Sequence, residues 1–159
     1  MQLHNIQPIF DSNSKVLILG SFPSVKSREQ GFFYGHKQNR FWQVVAKLYN
    51  EKIPESIEEK KNLLLKNKIA VWDVIGSCEL TGSADSTIKN VTANDLTKIL
   101  NFAPIEKIFV NGKTAEKYYD KYIKASIGRS AIVLPSTSPA NAKFSLEELI
   151  DKWKIIIGN

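Results

Sequence analysis

The stretch Lys15-Val-Leu-Ile-Leu-Gly20-Ser-Phe-Pro-Ser24 indicates the fold more clearly than any other part of the chain. A short, continuous aliphatic run that ends at a glycine is typical of a strand buried on both faces of a parallel sheet. Three further runs have the same character, at Ile69–Ile75, Lys107–Val110 and Ser130–Leu134. Helical patterns separate these runs, so we expect a three-layer α/β/α sandwich with a central four-stranded parallel sheet.

The segments between the strands have the periodicity and the end signals of helices. Helices are expected at residues 39–49, 54–65, 92–102 and 113–123, and a last one begins at the capping box Ser145-Leu-Glu-Glu148 and runs to about Ile156. Two segments are too polar and too rich in glycine, proline or small residues for one element, namely Ser21–Gln38 and Gly76–Asn90. We expect these two segments to be connections.

Length and composition limit the classes of protein that fit. The 159 residues, 43% of them apolar, suit a single domain spanning residues 1–159. The only cysteine, Cys78, excludes an intramolecular disulfide and any four-cysteine zinc or iron–sulfur site within one chain. Met1–Phe10 is interrupted by polar residues and so lacks the apolar stretch of a signal peptide. No apolar run is long enough to cross a membrane. We therefore expect a cytoplasmic protein without a metal ion or another cofactor.

The charge of the chain is unevenly distributed. Lys and Arg number 22 against 16 Asp and Glu, which gives a formal charge of +6. Residues 15–47 contain six basic residues and one acidic residue, and residues 107–143 contain seven and two. Such a concentration favours a polyanionic partner that contacts these two segments, although lysines on the helix near residue 120 also suit a solvated face.

The carboxyl ends of the strands are where ligands bind in folds of this kind. Asp73 ends a strand that is otherwise apolar, so it is either a hydrogen-bonded structural residue or a reader of the ligand. Pro135-Ser-Thr-Ser-Pro-Ala-Asn141 has small residues that let an anion approach the backbone, or is simply a stiff loop. Asn111-Gly112 ends a third strand at the same expected edge.

Aromatic residues are concentrated in Gly31–Trp42, where five of the chain's 16 aromatic residues fall within 12 positions. Rings beside His36, Lys37 and Arg40 are suited to gripping a nucleic-acid base and its phosphates. The alternative is that Phe41 and Trp42 pack in the core and that Asn39 caps the helix they begin.

Taken in order, these segments resemble the uracil-DNA glycosylase superfamily. Gly20-Ser-Phe-Pro-Ser24 resembles the first motif, and His36-Lys-Gln-Asn-Arg-Phe-Trp42 is similar to a stretch of the mismatch-specific uracil and thymine glycosylases. Val133-Leu-Pro-Ser-Thr-Ser-Pro-Ala-Asn141, followed by Ser145–Leu149, resembles the second motif and its helix. The resemblance runs from about Lys15 to Ile156, nearly the whole chain.

One departure from the superfamily pattern decides which branch the chain resembles. Most members have Asn or Asp at the third position of the first motif, where this chain has Phe22. The hypoxanthine-DNA glycosylase branch resembles the chain more closely, including Gly-Ser-Phe-Pro-Ser and the pair Trp72-Asp73. In that branch the second stretch supplies the catalytic asparagine, which corresponds to Asn39. The shortage of cysteines argues against the iron–sulfur branches.

The resemblance implies a monofunctional DNA glycosylase of base excision repair. Such an enzyme flips a deaminated base out of the duplex and hydrolyses its glycosidic bond. The expected base is hypoxanthine, with uracil as a second candidate. The expected partner is double-stranded DNA containing that base, and the protein is expected to act as a monomer. No lysine is placed as a Schiff-base nucleophile, so no lyase activity is expected. The implied catalytic residues are Asn39 and His36; the implied base contacts are Phe22, Phe33, Tyr34, Asp73 and Asn111; the implied DNA contacts are Ser21, Ser24, Lys37, Arg40, Lys113, Ser136, Ser138, Ala140, Asn141 and Lys143.

Each implied role has a specific chemical form. Asn39 would hold the attacking water, and His36 would stabilise the leaving base unless its hydrogen bond is structural. Tyr34 or Phe33 would stack on the base, and Asp73 would accept the N1–H of hypoxanthine, which adenine lacks. The small Ala140 and Asn141 would form a weak wedge in the vacated stack.

Three alternatives remain open at this point. Phe22 at the usual catalytic position favours a catalytically weak or inactive module that binds damaged DNA. The stretch from His36 to Trp42 also suits a mismatch-specific uracil or thymine glycosylase. A small-molecule-binding α/β domain unrelated to DNA is the third alternative.

Overall fold

The computed structural model of the protein describes residues 2–80 and 87–158. Four parallel strands form the central sheet, in the spatial order Ile69–Asp73, Val16–Gly20, Lys107–Asn111 and Ile132–Leu134, so the predicted architecture is confirmed. The strands in the described residues are β1 (Gln2–Leu3), β2 (Val16–Gly20), β3 (Ile69–Asp73), β4 (Ile75–Glu79), β5 (Lys89–Ala93), β6 (Lys107–Asn111) and β7 (Ile132–Leu134).

Helices flank the sheet, and most of them begin and end within a few residues of the predicted positions. They are α1 (Val25–Gln30), α2 (Phe41–Leu48), α3 (Ile57–Lys66), α4 (Thr97–Leu100), α5 (Lys113–Tyr122), α6 (Lys124–Ile127) and α7 (Leu146–Trp153), followed by a 3-10 turn at Lys154–Ile156. The capping box predicted at Ser145 and Glu148 is present. None of the helices in the described residues is long and apolar enough to cross a membrane.

The apolar core lies on both faces of the parallel sheet because the strands are almost wholly apolar. Ile18 at the centre of β2 pairs with Val71 on one side and Phe109 on the other, and all three side chains are fully buried. Trp153 of α7 is also fully buried, and its Nε1–H donates to the carbonyl of Pro135 at 2.9 Å. This bond ties the last helix to the loop that follows β7.

Four expectations about secondary structure are wrong. The run Ile69–Ile75 is not one strand, because β3 ends at Asp73 and Ile75 begins β4 in a separate sheet. Residues 21–38 include the short helix α1, which Ser24 caps by accepting the backbone N–H of Ser27. The segment 76–90 includes strand residues at both ends, since β4 pairs antiparallel with β5, while residues 81–86 of that segment lie outside the described residues. The helix expected from residue 92 begins at Thr97, because residues 89–93 belong to β5. β4 and β5 are short and contain few apolar residues, so their sequences lack the alternation of apolar and polar residues that indicates a strand.

The N-terminal segment, residues 2–11, covers the outer edge of β3 and continues onto β4. Ile9 exchanges backbone hydrogen bonds with Val71 at 3.0 and 2.9 Å. Further back, Gln2 and Leu3 pair antiparallel with β4, and the backbone N–H of His4 donates to the carbonyl of Gly76 at 2.8 Å. These pairings bring residue 4 to the end of β3, next to Asp73. The expectation of a single domain over residues 1–159 stays a prediction.

Candidate active site

The strand ends that the sequence singled out do come together at the carboxyl edge of the parallel sheet. Gly20 at the end of β2 pairs with Asp73 at the end of β3. On the other side of β2, Asn111 at the end of β6 pairs with Leu134, directly before the loop at residues 135–144. The candidate site is therefore formed by these strand ends and by the loop containing Tyr34 and Asn39.

Asp73 is buried at this edge and is paired with a histidine. Its carboxylate oxygen Oδ2 lies 2.8 Å from Nε2 of His4, and only 5% and 1% of the two side chains are exposed. The backbone N–H of Ile6 donates to Nδ1 of His4 at 3.3 Å. Because Nδ1 accepts a hydrogen bond, the ring hydrogen is assigned to Nε2, which donates to Asp73. Sequence reasoning missed His4, since no motif connects residues 69 positions apart.

The second oxygen of Asp73, Oδ1, faces Gly20 and Tyr34. A Cβ atom at Gly20 would collide with Oδ1 and would lie 3.1 Å from the hydroxyl of Tyr34, so only glycine leaves room for the carboxylate there. The hydrogen bond from His4 is made to Oδ2 and not to Oδ1. Burial, and then the negative charge of Asp73, raise the pKa of Tyr34 above its usual value. The phenol therefore stays protonated beside the carboxylate at neutral pH.

Asn111 connects Tyr34 to the loop after β7. Its Nδ2 donates to the hydroxyl of Tyr34 at 3.3 Å and to Oγ1 of the buried Thr137 at 3.0 Å, and its Oδ1 accepts the backbone N–H of Thr137 at 3.1 Å. All the polar groups of the Asn111 side chain thus have partners within the protein. Its visible role is to position Tyr34, a role that its strand-end location did not reveal.

The aromatic residues divide into core residues and site residues. Phe41 and Trp42 are buried, as the packing alternative predicts, and Tyr34 stacks on Phe41 with ring centroids 4.1 Å apart. Tyr34 holds a left-handed backbone with φ of 52°, which is unusual for an aromatic residue and marks local strain. Phe33 is 1% exposed and packs against His4, so its position suits support of that ring rather than contact with a ligand.

Phe22, Asn39 and His36 surround the same edge and are partly exposed. The ring of Phe22 meets the ring of His4 edge-on at 6.0 Å. Asn39 Oδ1 accepts the backbone N–H of Phe41 at 2.9 Å, while the N-cap position of α2 is Arg40, which makes no side-chain cap. A carbonyl oxygen retains a second lone pair for another donor. His36 Nδ1 accepts the backbone N–H of Gln38 at 3.1 Å.

Arg40, expected to contact DNA, instead holds the loop at residues 135–144. Its guanidinium donates to the carbonyl oxygens of Phe144, of Asn141 at 3.0 Å and of Ser138 at 3.4 Å, and its backbone N–H donates to the carbonyl of Thr137 at 3.0 Å. Arg40 therefore fixes the shape of the loop, because its fork of donors matches several carbonyls at once.

The serines of the two loops use their hydroxyl oxygens internally. Oγ of Ser136 accepts the backbone N–H of Ser138, and Oγ of Ser138 accepts that of Ala140, both at 3.1 Å. The amides of Ser138 and Ala140 thus have partners inside the loop, against the expectation that loop amides contact phosphate, whereas both hydroxyl hydrogens can still donate. The hydroxyl of Ser24 both caps α1 and donates to Oγ of Ser27.

The remaining DNA contacts expected from the sequence lie around this edge. Asn141 holds the loop through its Nδ2, which donates to the carbonyl of Ser136 at 2.9 Å, and the carbonyl of Ser21 accepts the N–H of Ile75 at 3.0 Å. Four residues are exposed on the loops or at the start of α5: Lys37, Lys113, Ala140 and Lys143. Within the basic segments, however, Lys15 and Lys107 lie at the opposite, amino end of the sheet.

In the described residues, no cluster of three or more His, Cys, Asp or Glu side chains is arranged to hold a metal ion. The hydrogen bonds that orient the site come from side chains and backbone of the chain itself. Its chemistry is that of a buried carboxylate acceptor, a protonated phenol and the partly exposed amide of Asn39.

Comparison with known proteins gives a consistent picture over almost the whole chain. A family model described as the uracil DNA glycosylase superfamily matches residues 7–156. A curated protein of Methanosarcina acetivorans named hypoxanthine DNA glycosylase is 36% identical over 139 residues, which are 86% of this chain and 87% of that protein. A protein of the same name from Methanosarcina barkeri is 31% identical over 156 residues and 96% of each chain.

A solved structure agrees with the fold. The solution NMR structure of a protein from Methanosarcina acetivorans, described as a candidate uracil DNA glycosylase, has a TM-score of 0.83 and 31% sequence identity. The match covers 98% of this chain and 97% of the other.

The contacts of Arg40 make a testable prediction about the loop. Arg40→Lys keeps the charge but loses the fork of donors, so we expect the free energy of unfolding to fall by about 1–2 kcal/mol. Amide hydrogen exchange in a peptide covering residues 136–144 should become faster, as measured by mass spectrometry. Lys37→Ala, a change at an exposed neighbour, is the control and should alter stability by less than about 0.5 kcal/mol. Unchanged exchange in Arg40→Lys would show that the loop holds its shape without these bonds.

Proposed function

Because this chain belongs to the uracil DNA glycosylase superfamily, we propose that it is a monofunctional DNA glycosylase that removes hypoxanthine from deoxyinosine in duplex DNA. The observation that carries the proposal is Asp73, a buried carboxylate whose Oδ1 borders Gly20 and Tyr34 while His4 occupies Oδ2. A site of this kind reads a base by offering one fixed acceptor in a place shielded from water.

Asp73 accounts for the choice of base. Hypoxanthine has a hydrogen on N1 that Oδ1 can accept, whereas N1 of adenine is itself an acceptor. Adenine would therefore leave two buried acceptors facing each other without a hydrogen, which costs about 1–3 kcal/mol or more. Uracil has a comparable N3–H, which makes it the second candidate substrate.

Stacking and extrusion involve Tyr34 and Phe22. One face of the Tyr34 ring is covered by Phe41, and the other is assigned to the extruded base, with Phe22 at the margin. Extrusion of a base costs a few kcal/mol, and less for the weakly paired inosine. Asn111, by holding the hydroxyl of Tyr34, fixes the angle of the stacking ring.

Hydrolysis requires a water molecule held against the sugar. Oδ1 of Asn39 has a lone pair beyond the one that accepts the N–H of Phe41, and it would orient that water toward C1′. The water oxygen bonds to C1′, the bond from C1′ to N9 breaks with its electron pair on the base, and a water proton neutralises the base. His36, with Nδ1 already accepting a hydrogen bond, would donate from Nε2 to the departing base.

Contacts with the DNA backbone are assigned to the exposed groups at this edge. Lys37, Lys113 and Lys143 supply positive charge, and the hydroxyl hydrogens of Ser136 and Ser138 supply short-range donors to phosphate. Ala140, at the exposed tip of its loop, is the wedge residue beside Asn141. This division leaves Arg40 and Ser24 as structural supports of the two loops.

The activity is tested on a labelled duplex that carries one deoxyinosine, followed by alkali cleavage at abasic sites. We expect cleavage at the deoxyinosine only after alkali treatment, and no adduct when borohydride is present, because the reaction is hydrolytic. Matched duplexes with uracil, thymine or xanthine rank the substrates. Tight binding to inosine DNA without abasic product would establish a binding module instead, and an absence of binding would refute the DNA function altogether.

Asn39 can be tested apart from its hydrogen bond with the backbone N–H of Phe41. Asn39→Ala should reduce single-turnover excision by at least about 100-fold, because the water loses its acceptor. Asn39→Ser is the matched variant. The hydroxyl oxygen of serine can also accept the backbone N–H two residues on, but the shorter side chain does not reach the proposed water. We expect Asn39→Ser to have the melting temperature of the natural chain and the low activity of Asn39→Ala. Activity of Asn39→Ala within about threefold of the natural chain would assign the water to another group.

The position of the phosphate contacts can be tested with two lysines on one strand–helix unit. Lys113 lies at the carboxyl edge and Lys107 at the amino end of β6. A plot of log affinity against log salt concentration has a negative slope. Lys113→Ala should reduce the magnitude of that slope by about one, as expected for one lost phosphate contact. Lys107→Ala should leave the slope unchanged. Equal effects of the two substitutions would mean that DNA does not bind specifically at the carboxyl edge.

A further inference from the structure

The pair formed by His4 and Asp73 stands out because nothing in the motifs assigns a role to His4. The two side chains are buried and hydrogen-bonded at 2.8 Å. A buried carboxylate needs a partner that satisfies it, and removing one partner of such a pair leaves an uncompensated group. The partner lies 69 positions earlier, near the N-terminus, on a segment outside both superfamily motifs.

The orientation of the His4 ring is imposed by its surroundings. Nδ1 accepts the backbone N–H of Ile6, and the backbone N–H of His4 itself donates to the carbonyl of Gly76. Rings of Phe22, Phe33 and Trp72 lie 6.0 to 6.2 Å from the ring of His4. Because Nδ1 already accepts a hydrogen bond, Nε2 is held as a donor toward Oδ2 of Asp73.

A fixed donor on Oδ2 determines what Oδ1 can do. When Nε2–H donates to Oδ2, that oxygen is occupied, and Oδ1 remains as the oxygen that a ligand can approach. Tyr34 also borders Asp73, and because its pKa is raised its phenol stays protonated and uncharged. The hydrogen bond from His4 therefore holds the carboxyl group with Oδ1 turned toward Gly20 and Tyr34.

We propose that His4 is a positioning residue that keeps Asp73 an acceptor, so that the N-terminal segment determines which bases the site accepts. This inference rests on the proposed function, in which Asp73 reads N1–H of hypoxanthine. Without His4, the carboxyl group of Asp73 loses the donor that holds Oδ2, so Oδ1 is no longer fixed opposite N1 of the base, and adenine meets less opposition there. His4 thereby acts against adenine without touching the base.

The variants that test this role are His4→Leu and His4→Gln. Leucine fills the space but offers no donor, whereas the side-chain amide of glutamine has both a donor for Asp73 and an acceptor for the N–H of Ile6. Leu3→Ala, a change at the exposed neighbouring residue on β1, controls for disturbance of the N-terminal strand. Single-turnover excision of hypoxanthine and of adenine is measured in duplexes that differ only at that base, together with the melting temperature of each variant.

We expect His4→Leu to lose at least about tenfold in excision of hypoxanthine and to lower the ratio of hypoxanthine to adenine excision by a similar factor. His4→Gln should restore both quantities to within about threefold, and Leu3→Ala should match the natural chain. A merely structural role would lower excision of both bases together and leave the ratio unchanged. An unchanged ratio in His4→Leu, or no restoration by His4→Gln at equal melting temperature, overturns the inference.

A second measurement separates this inference from the proposed function. Ring nitrogen shifts in NMR spectra of the natural chain should show a neutral His4 ring with its hydrogen on Nε2, and a hydrogen on Nδ1 would overturn the inference. Absence of excision on every duplex would refute the proposed function. Binding affinities for inosine and adenosine duplexes, compared between the natural chain and His4→Leu, would then decide the role of His4, and equal preferences would overturn it.

Discussion

The buried carboxylate of Asp73 is the constraint around which this edge of the molecule is organised. It is the last residue of β3 in the parallel sheet, two residues before β4 begins the small antiparallel sheet. A charge in that position is costly unless it is paired, and the pairing requires His4. His4 in turn requires that β1 pair with β4 and that Ile9 pair with Val71. The N-terminal segment is thus part of the site as well as a cover for the sheet edge.

A second set of hydrogen bonds fixes the opposite side of the site. Asn111 joins the hydroxyl of Tyr34 to Thr137, and Arg40 draws together three carbonyls of the loop at residues 135–144. Both residues are polar and lie where a ligand would bind, which is why their types suggested contact with base or DNA. Their donors are used within the protein, and rigid placement of neighbouring groups is itself what a hydrolytic site requires.

The sequence predicted those parts of the fold in which burial is continuous, and failed where it is not. The aliphatic runs of β2 and β6 are buried on both faces, so composition alone identifies them. β4 and β5 are held mainly by backbone pairing, which leaves no apolar pattern. His4 could not be found in the same way, because its role depends on a contact between residues 69 positions apart. Asn39 was open between capping and catalysis; its oxygen accepts the N–H of Phe41 just before the helix, although Arg40 holds the N-cap position, and that oxygen keeps a lone pair.

Phe22 gains a physical explanation from this arrangement. Where most of the superfamily has Asn or Asp, this chain has a ring whose edge meets His4 and over which Arg28 lies at 5.5 Å. A second carboxylate at that position would approach the buried Asp73, and two like charges in a dry site disfavour ionisation of both. A phenylalanine there adds no second charge beside the pair formed by His4 and Asp73. Under the proposed function, Phe22 in the first motif and a water held by Asn39 would both follow from one choice, a carboxylate that reads the base at the end of β3.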